Sequence, residues 1–594
     1  MPTSSLLSAL FLTLHTALGQ QTGNNPDWPR WCGKVYESGY PSFNPGGQAV
    51  EPAHDPNGPL LYVQVAPRYN LYLDSETDGE FVVRTTLSPY FGSALPGNGN
   101  ATAKTMYSND THRDLHYSIS LDSVSAVLAQ GTASFNFTSD VATQDTFIPF
   151  SLKGLTSGTA RQNVTLTGWI VSPDGRSNVS YSATSSGLVY LPVPTGGGSV
   201  TRLDNAYGGF WHLKGGGGSS TFEPFFPYGF YSSYDGFLAD VSDNATAASV
   251  IGKYADFGLN AMTPLSQYPT SATAFQYMVD TDLRFQFDLR EQYTNSTWVA
   301  EQVAAAKDNA ALFSYWSSDE PDGHQDPFSA PKDCRDTIRS VDPYHPVALV
   351  LNCQNYYFAE YTEGSADVIM EDVYPIGINT TWSKWGTTCN TTLGDCGCDN
   401  CEGGDHAVRD VGDRLDDLFR YESYIEGRWP ATKIHNPQSF NGEGYWARDP
   451  TPDEEWAMTL VAVNHGAKGI ISWVYPVASG DGLPAAHGQL AKVLTASPVV
   501  DFIVGNAAPI ILKIASAPEV DIACWKRGSE LLVSIVNSGY NNYTSGGPRE
   551  IALPALYTSV KTTAWGKLEW SLSGSTLSAQ SIPALSTSLL ILTA

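Results

Sequence analysis

The sequence predicts a multidomain chain with a central (β/α)8 TIM barrel, flanked by N-terminal and C-terminal all-β, sandwich-like domains. Three observations predict it. Eight short apolar runs recur between residues 222 and 504, with helical stretches between most of them. The regions before and after read as short strands rich in Val, Thr and aromatics, parted by Gly, Pro, Asn and Ser. The length, 594 residues, accommodates about three or four domains. Eight βα units in about 280 residues match the usual size of such a barrel. A doubly wound open sheet is the alternative; it needs fewer strands and usually a glycine-rich first turn, which is not found here.

Taken in order, residues 1–19 read as a secretory leader. Leu6, Leu7, Ala9, Leu10, Phe11, Leu12 and Leu14 form its apolar stretch, and Ala17 and Gly19 precede a cut at Gln20. Residues 20–205 read as a β-sandwich, with strands near Leu60–Val65, Phe81–Thr86, Ala133–Phe137, Asn163–Ile170 and Gly187–Val193. Residues 206–221 read as a glycine-rich linker. It lacks the Lys-Ser/Thr ending of a phosphate cradle.

The barrel, 222–504, takes its strands from Phe225–Tyr231, Leu259–Met262, Leu283–Phe287, Leu312–Trp316, Val347–Leu351, Val368–Val373, Lys433–Asn436 and Gly469–Val474. Residues 505–594 return to short strands. The apolar tail Leu589–Leu592 reads as a last strand rather than a lipid-anchor signal, because no polar spacer precedes it.

Composition narrows the function classes. Asp and Glu number 60 against 33 Lys and Arg, a net charge of −27, which disfavours nucleic acid or an anionic membrane as partner. Beyond the leader, no apolar run has the 18 or more residues of a membrane span. Ten Asn-x-Ser/Thr sequons point to an extracellular, glycosylated protein. The 8 Cys then read as disulfide formers rather than zinc ligands. Four crowd together as Cys389, Cys396, Cys398 and Cys401; Cys334 and Cys353 are near enough in sequence to pair, and Cys32 and Cys524 remain.

Barrels place chemistry at the C-terminal ends of their strands. There the sequence offers carboxylates, amides and aromatics. The sharpest motif is Tyr315-Trp316-Ser317-Ser318-Asp319-Glu320-Pro321, where a strand runs into an acid held before a proline. Glu320 reads as a proton donor whose protonated form the neighbouring Asp319 favours. In Met370–Pro375, strand alternation forbids Glu371 and Asp372 from sharing a face, so Asp372 and Tyr374 are assigned to the interior. Asp288, Asn352, His435 and Gln438 follow or end other strands and can pair with hydroxyls. Trp473 can floor a sugar, and Glu443 lies in a loop between two glycines. No Gly-x-Ser-x-Gly elbow and no His-Glu-x-x-His zinc motif occurs.

These residues resemble the (β/α)8 glycoside hydrolases, in two branches. In the retaining clan, strand 4 ends in Asn-Glu, often followed by Pro. The Glu is the acid/base, and a second Glu ends strand 7 as nucleophile. Glu320 matches that acid, and Tyr374 and Trp473 look like that clan's strand 6 Tyr and strand 8 Trp. Asp319 departs from the pattern, and Ile434–Gln438 offers no Glu, so Glu443 would have to reach in. In the substrate-assisted families, including hexosaminidases and glycoside hydrolase family 123, an Asp-Glu pair ends strand 4, and the Asp orients a 2-acetamido group that attacks. Asp319-Glu320 is similar to that pair.

The resemblance implies a glycosidase acting on an oligo- or polysaccharide with retention. With the leader and sequons the chain reads as secreted, it is expected to be a monomer, and no metal or organic cofactor is indicated. Its catalytic candidates are Glu320, Asp319, Asp372 and Glu443. Its substrate contacts are Tyr374, Trp473, Asn352, His435, Gln438 and Asp288. The alternative is a non-catalytic carbohydrate-binding or wall-associated protein on a decayed barrel.

Overall fold

Eight parallel strands close into a barrel, each in register with the next in the chain. They are β1 (Tyr228–Ser232), β2 (Ala261–Pro264), β3 (Arg284–Asp288), β4 (Leu312–Asp319), β5 (Val347–Leu351), β6 (Val368–Val373), β7 (Thr432–Pro437) and β8 (Ile470–Tyr475). Helices α1 (Asn244–Asp256), α2 (Ala272–Asp280), α3 (Ser296–Ala306), α4 (Ser329–Val341), α5 (Phe358–Thr362), α6 (Arg409–Ser423), α7 (Pro452–Asn464) and α8 (Gly482–Leu494) return the chain between and after them. This computed structural model describes chiefly residues 49–95, 112–351, 357–378 and 406–594, with short breaks, and a strand pair near residue 30. Residues 1–19, expected to be a leader, and Asn352, Glu443, Cys32, Cys353 and the cysteine cluster lie outside the described residues.

The barrel strands are apolar on both faces because both are covered. One face looks inward, where Ala261, Phe313, Trp316, Ala348, Val350, Val368, Met370, Ile434 and Ile471 pack together. The other meets the helices through Phe285, Phe287, Leu349, Ile369 and Ile470. Helix starts carry local signals. Asp243 and Thr451 cap α1 and α7 in reciprocal capping boxes, and Asn295 caps α3.

The N-terminal region is a sandwich. A three-stranded sheet (Leu60–Pro67, Asp78–Ser88, Thr143–Ser151) shares one core with a five-stranded sheet that includes Arg113–Leu121, Gly158–Val171 and Asn178–Leu191. In the C-terminal region, Thr587–Thr593 pairs on both sides, with Glu530–Asn537 and Ser559–Trp565, so the apolar tail is an interior strand.

Two expectations change. Within the stretch read as linker, Phe210–Leu213 is the middle strand of a three-stranded sheet. Its alternation buries Phe210 beside Leu203, Phe225 and Phe313, plugging the N-terminal end of the barrel. Cys334 is a free, buried thiol, so the expected pairing with Cys353 is not made; Cys524 is also free and buried. Each packs in an apolar cluster as a small hydrophobe.

Candidate active site

The C-terminal mouth of the barrel gathers side chains from six strands. A bulge in β4 prepares it. Trp316 pairs with Ala348, the register then slips, and Asp319 pairs with Val350. Ala348 and Val350 both face inward. Regular alternation would set Trp316 and Asp319 on opposite faces; the extra residue turns both into the barrel. Glu320 follows at φ +43°, a left-handed backbone that costs a residue with a Cβ about 1–2 kcal/mol. Its N–H donates to the Val350 carbonyl at 3.0 Å, and Pro321 starts a helical turn immediately after it. The fold therefore holds Glu320 in a costly conformation at a strand tip, as sites of chemistry often do.

Around this tip the polar groups form one network. Arg290, just past β3, reaches Asp288 Oδ2 with Nε at 3.3 Å and Asp319 Oδ2 with Nη1 at 3.4 Å. Its guanidinium lies 5.0 Å from the Trp316 ring centroid and 5.9 Å from that of Trp473. Asn436 Nδ2 donates to Asp372 Oδ1 at 2.9 Å and to the Tyr231 hydroxyl at 3.1 Å. The Tyr231 ring sits 4.7 Å from Trp316 and 5.2 Å from Trp473, giving the mouth an aromatic floor. Arg290, Asp319, Glu320, Tyr374 and Trp473 are partly exposed, whereas Tyr231, Asp288, Trp316, Asp372 and Asn436 are buried.

The electrostatics follow from that burial. Loss of water pushes the Asp288 carboxyl up to about 6, against the pull of Arg290 and with some help from Asp319. The hydroxyls of Tyr231 and Tyr374 are raised by burial first and then by nearby carboxylates, Asp372 foremost, with Asp319 acting on both and Glu320 on Tyr374. Both therefore stay protonated donors. Tyr231 accepts from Asn436, so its own proton is available to another group.

The sequence-predicted residues divide. Asp288, Asp319, Glu320, Asp372, Tyr374 and Trp473 are brought together. His435 and Gln438 are not in that group and are engaged elsewhere. Met370 and Ile434 line the interior, so the alternate residues Glu371 and His435 look out toward the helices. There His435 Nδ1 meets Glu371 Oε2 at 2.8 Å, fully buried. Gln438 has its amide bound to the backbone of Ile376 and Phe440, which fixes the turn after β6. Asn352 and Glu443 fall outside the described residues.

Tyr231 and Trp316 are not singled out as site residues by the sequence. Arg290 and Asn436, which it places on the rim after strand 3 and at strand 7, hold central places in the network that it does not assign. For Asn436 a signal existed: once Asp372 faces inward, its in-register neighbour on β7 does too. Among the described residues, no group of His, Cys, Asp and Glu is placed to hold a metal ion.

Neither a family model nor a curated protein matches the chain. Among solved structures it is similar to β-glucuronidases. That of Bifidobacterium dentium, complexed with coumarin-3-O-glucuronide, is 16% identical, with 70% of this chain and 61% of that one covered and a TM-score of 0.32. That of Ruminococcus gnavus is 10% identical over 70% and 62%, with a TM-score of 0.33. That of Bacteroides uniformis is 9% identical over 82% and 55%, with a TM-score of 0.34. The chain thus spans about three fifths of the length of these proteins.

Proposed function

We propose that the chain is a secreted glycoside hydrolase that cleaves O-glycosidic bonds of an oligo- or polysaccharide, with Glu320 as general acid/base. One observation carries the reading. A partly exposed carboxylic acid is held in a left-handed backbone at the tip of β4, beside Asp319, in a mouth lined by Tyr231, Trp316, Tyr374 and Trp473. Glycoside cleavage uses paired carboxyl groups, and aromatic faces suit the apolar faces of sugar rings.

The inward position at the tip of β7 is an amide, Asn436, rather than a carboxylate. The nucleophile in this proposal is therefore the oxygen of the substrate's own 2-acetamido group. Asp319 orients that group, Asp372 and Tyr374 hold the sugar, and the anomeric configuration is retained. Secretion is supported by the leader and by the sequons: Asn136, Asn163, Asn178, Asn244, Asn295 and Asn542 are all exposed.

The test is hydrolysis of paired aryl glycosides with and without a 2-acetamido group, by the wild type and by Glu320→Gln. Cleavage confined to the acetamido sugars and abolished in Glu320→Gln supports the proposal. Cleavage of plain hexosides moves the nucleophile to a protein carboxylate. Asn436 at the β7 tip also favours a second reading, non-catalytic carbohydrate binding. That reading takes first place if neither substrate is cleaved and glycan binding persists.

A further inference from the structure

At the opposite end of the barrel, three arginines meet where the N-terminal sandwich docks. Helix α4 runs back from the mouth, so its last turn and Pro343 lie at the N-terminal end of the strands. There Thr159, Arg161 and Val189 of the sandwich face Asp336, Arg339 and Ser340 of α4 across a cleft of about 260 Å³.

The charges in the cleft do not balance locally. Asp367 takes Arg335 at 2.7 Å and Arg339 at 2.8 and 3.0 Å, and its Oδ2 also accepts the Val347 N–H at 3.0 Å. Burial opposes that charge, but the two guanidiniums hold the Asp367 carboxyl far below the usual range. Asp336 already holds Lys332 at 2.5 Å. Arg161 adds a third guanidinium to a group whose carboxylates are engaged. It is open to solvent by surface area, yet the protein around it and the like charges of Arg339 and Arg335 disfavour its cationic form. The Nε groups of Arg335 and Arg339 are buried with no hydrogen-bond partner. In a chain of net charge −27, this is a concentrated cationic spot. Its walls are fixed: the Tyr344 hydroxyl donates to the Pro192 carbonyl at 3.0 Å, and the Thr201 N–H to the Tyr344 carbonyl at 3.1 Å.

We propose that this cleft binds the carboxylate or sulfate group of an acidic sugar, gripped between Arg161 and Arg339. Guanidinium forks match such planar or tetrahedral oxyanions. The other lining selects a sugar over a bare ion. The hydroxyls of Thr159 and Ser340 and the Asp336 carboxylate meet ring hydroxyls, Val189 and Pro343 offer an apolar wall, and Asp336 repels a free dianion. The volume is just under the ~300 Å³ at which pockets for drug-sized ligands begin, which suits one ring. The site is remote from the mouth and serves to hold an acidic chain rather than to cut it.

The experiment is calorimetric titration of the full chain carrying Glu320→Gln, so that no probe is hydrolysed. The probes are glucuronate, a galacturonate trimer, glucose and inorganic sulfate. The expected result is binding of the acidic sugars that weakens with added salt and falls at least about ten-fold in Arg161→Gln, with glucose silent at this site. Arg161 is an exposed strand residue, so that variant keeps the fold; equal thermal unfolding of the two proteins checks it. Unchanged affinity in Arg161→Gln, or no binding of acidic sugars, overturns the proposal. Binding of sulfate alone overturns the assignment to a sugar. None of these outcomes depends on cleavage at the mouth.

Discussion

Asp372 and Asn436 stand in register on β6 and β7, and the Asn436 amide donates to Asp372 at 2.9 Å while also reaching the Tyr231 hydroxyl. This rung ties three strands across the floor of the mouth. Asn436 Oδ1 is buried and has no hydrogen-bond partner, which leaves an acceptor for a substrate donor.

Asn436→Ala should therefore remove one donor from two buried partners. A lost hydrogen bond to a charged group is worth about 1.5–3 kcal/mol, so kcat/KM should fall by roughly 10- to 100-fold. Steady-state kinetics on the substrate found in the aryl-glycoside test measure this. An unchanged kcat/KM would remove the rung from the reaction.

The neighbouring pair on the outer face behaves differently. His435 and Glu371 are buried between sheet and helices, with Glu371 Oε1 and His435 Nε2 lacking partners. His435→Ala should destabilise the fold by about 3 kcal/mol, because it strands a buried carboxylate, and should leave KM unchanged. Urea unfolding and Michaelis kinetics on one preparation separate these effects. A raised KM with unchanged stability would return His435 to the substrate.

This contrast shows what was legible in the sequence. The barrel strands could be read because continuous apolar runs such as Val347–Leu351 have no other use in a chain of this composition. Alternation placed Asp372 and Tyr374 inward, and the same rule carried across to β7 separates Asn436 from His435. The bulge after Trp316 was not legible, because a register slip is set by pairing with β5 and not by local residue types. Tyr231 reads as one more apolar strand residue until its hydroxyl is seen against Asn436. Phe210–Leu213 was hidden by the glycines around it. The meeting of Arg161 with Arg339 depends on how two domains dock, and no spacing along the chain encodes it.

Asp288 sets a pH dependence of stability. Its carboxyl is raised from 3.8 to about 6 by burial, so the folded state binds the proton more tightly than the unfolded chain. The stabilisation is complete below about pH 4 and is lost as pH rises through 6, amounting to about 3 kcal/mol. Asp288→Asn should flatten this part of the profile. Unfolding free energies measured from pH 4 to 7 for both proteins test it; parallel profiles would show that Asp288 does not titrate in this window.

His465 adds a second loss of stability with rising pH, in a higher window. It ends α7 and bridges Asp416 on α6, at 2.8 Å, to Asp521 of the C-terminal β-domain, at 2.9 Å. The preceding Asn464 also donates to Asp521. Burial opposes the charge on His465, but its hydrogen bonds to the two carboxylates outweigh it and raise the imidazole from 6.5 to about 10. The raised group stabilises the fold fully below pH 6.5, and that stabilisation is lost as pH rises toward 10, with an upper bound of about 5 kcal/mol. Mild alkali should therefore loosen the C-terminal domain from α7. In His465→Gln, unfolding free energy between pH 6 and 9 should become nearly level while remaining below the wild type at pH 6. Two-dimensional NMR of the imidazole gives the titration directly. A midpoint near 6.5 would show that the bridge between α6 and the C-terminal domain carries no charge at neutral pH.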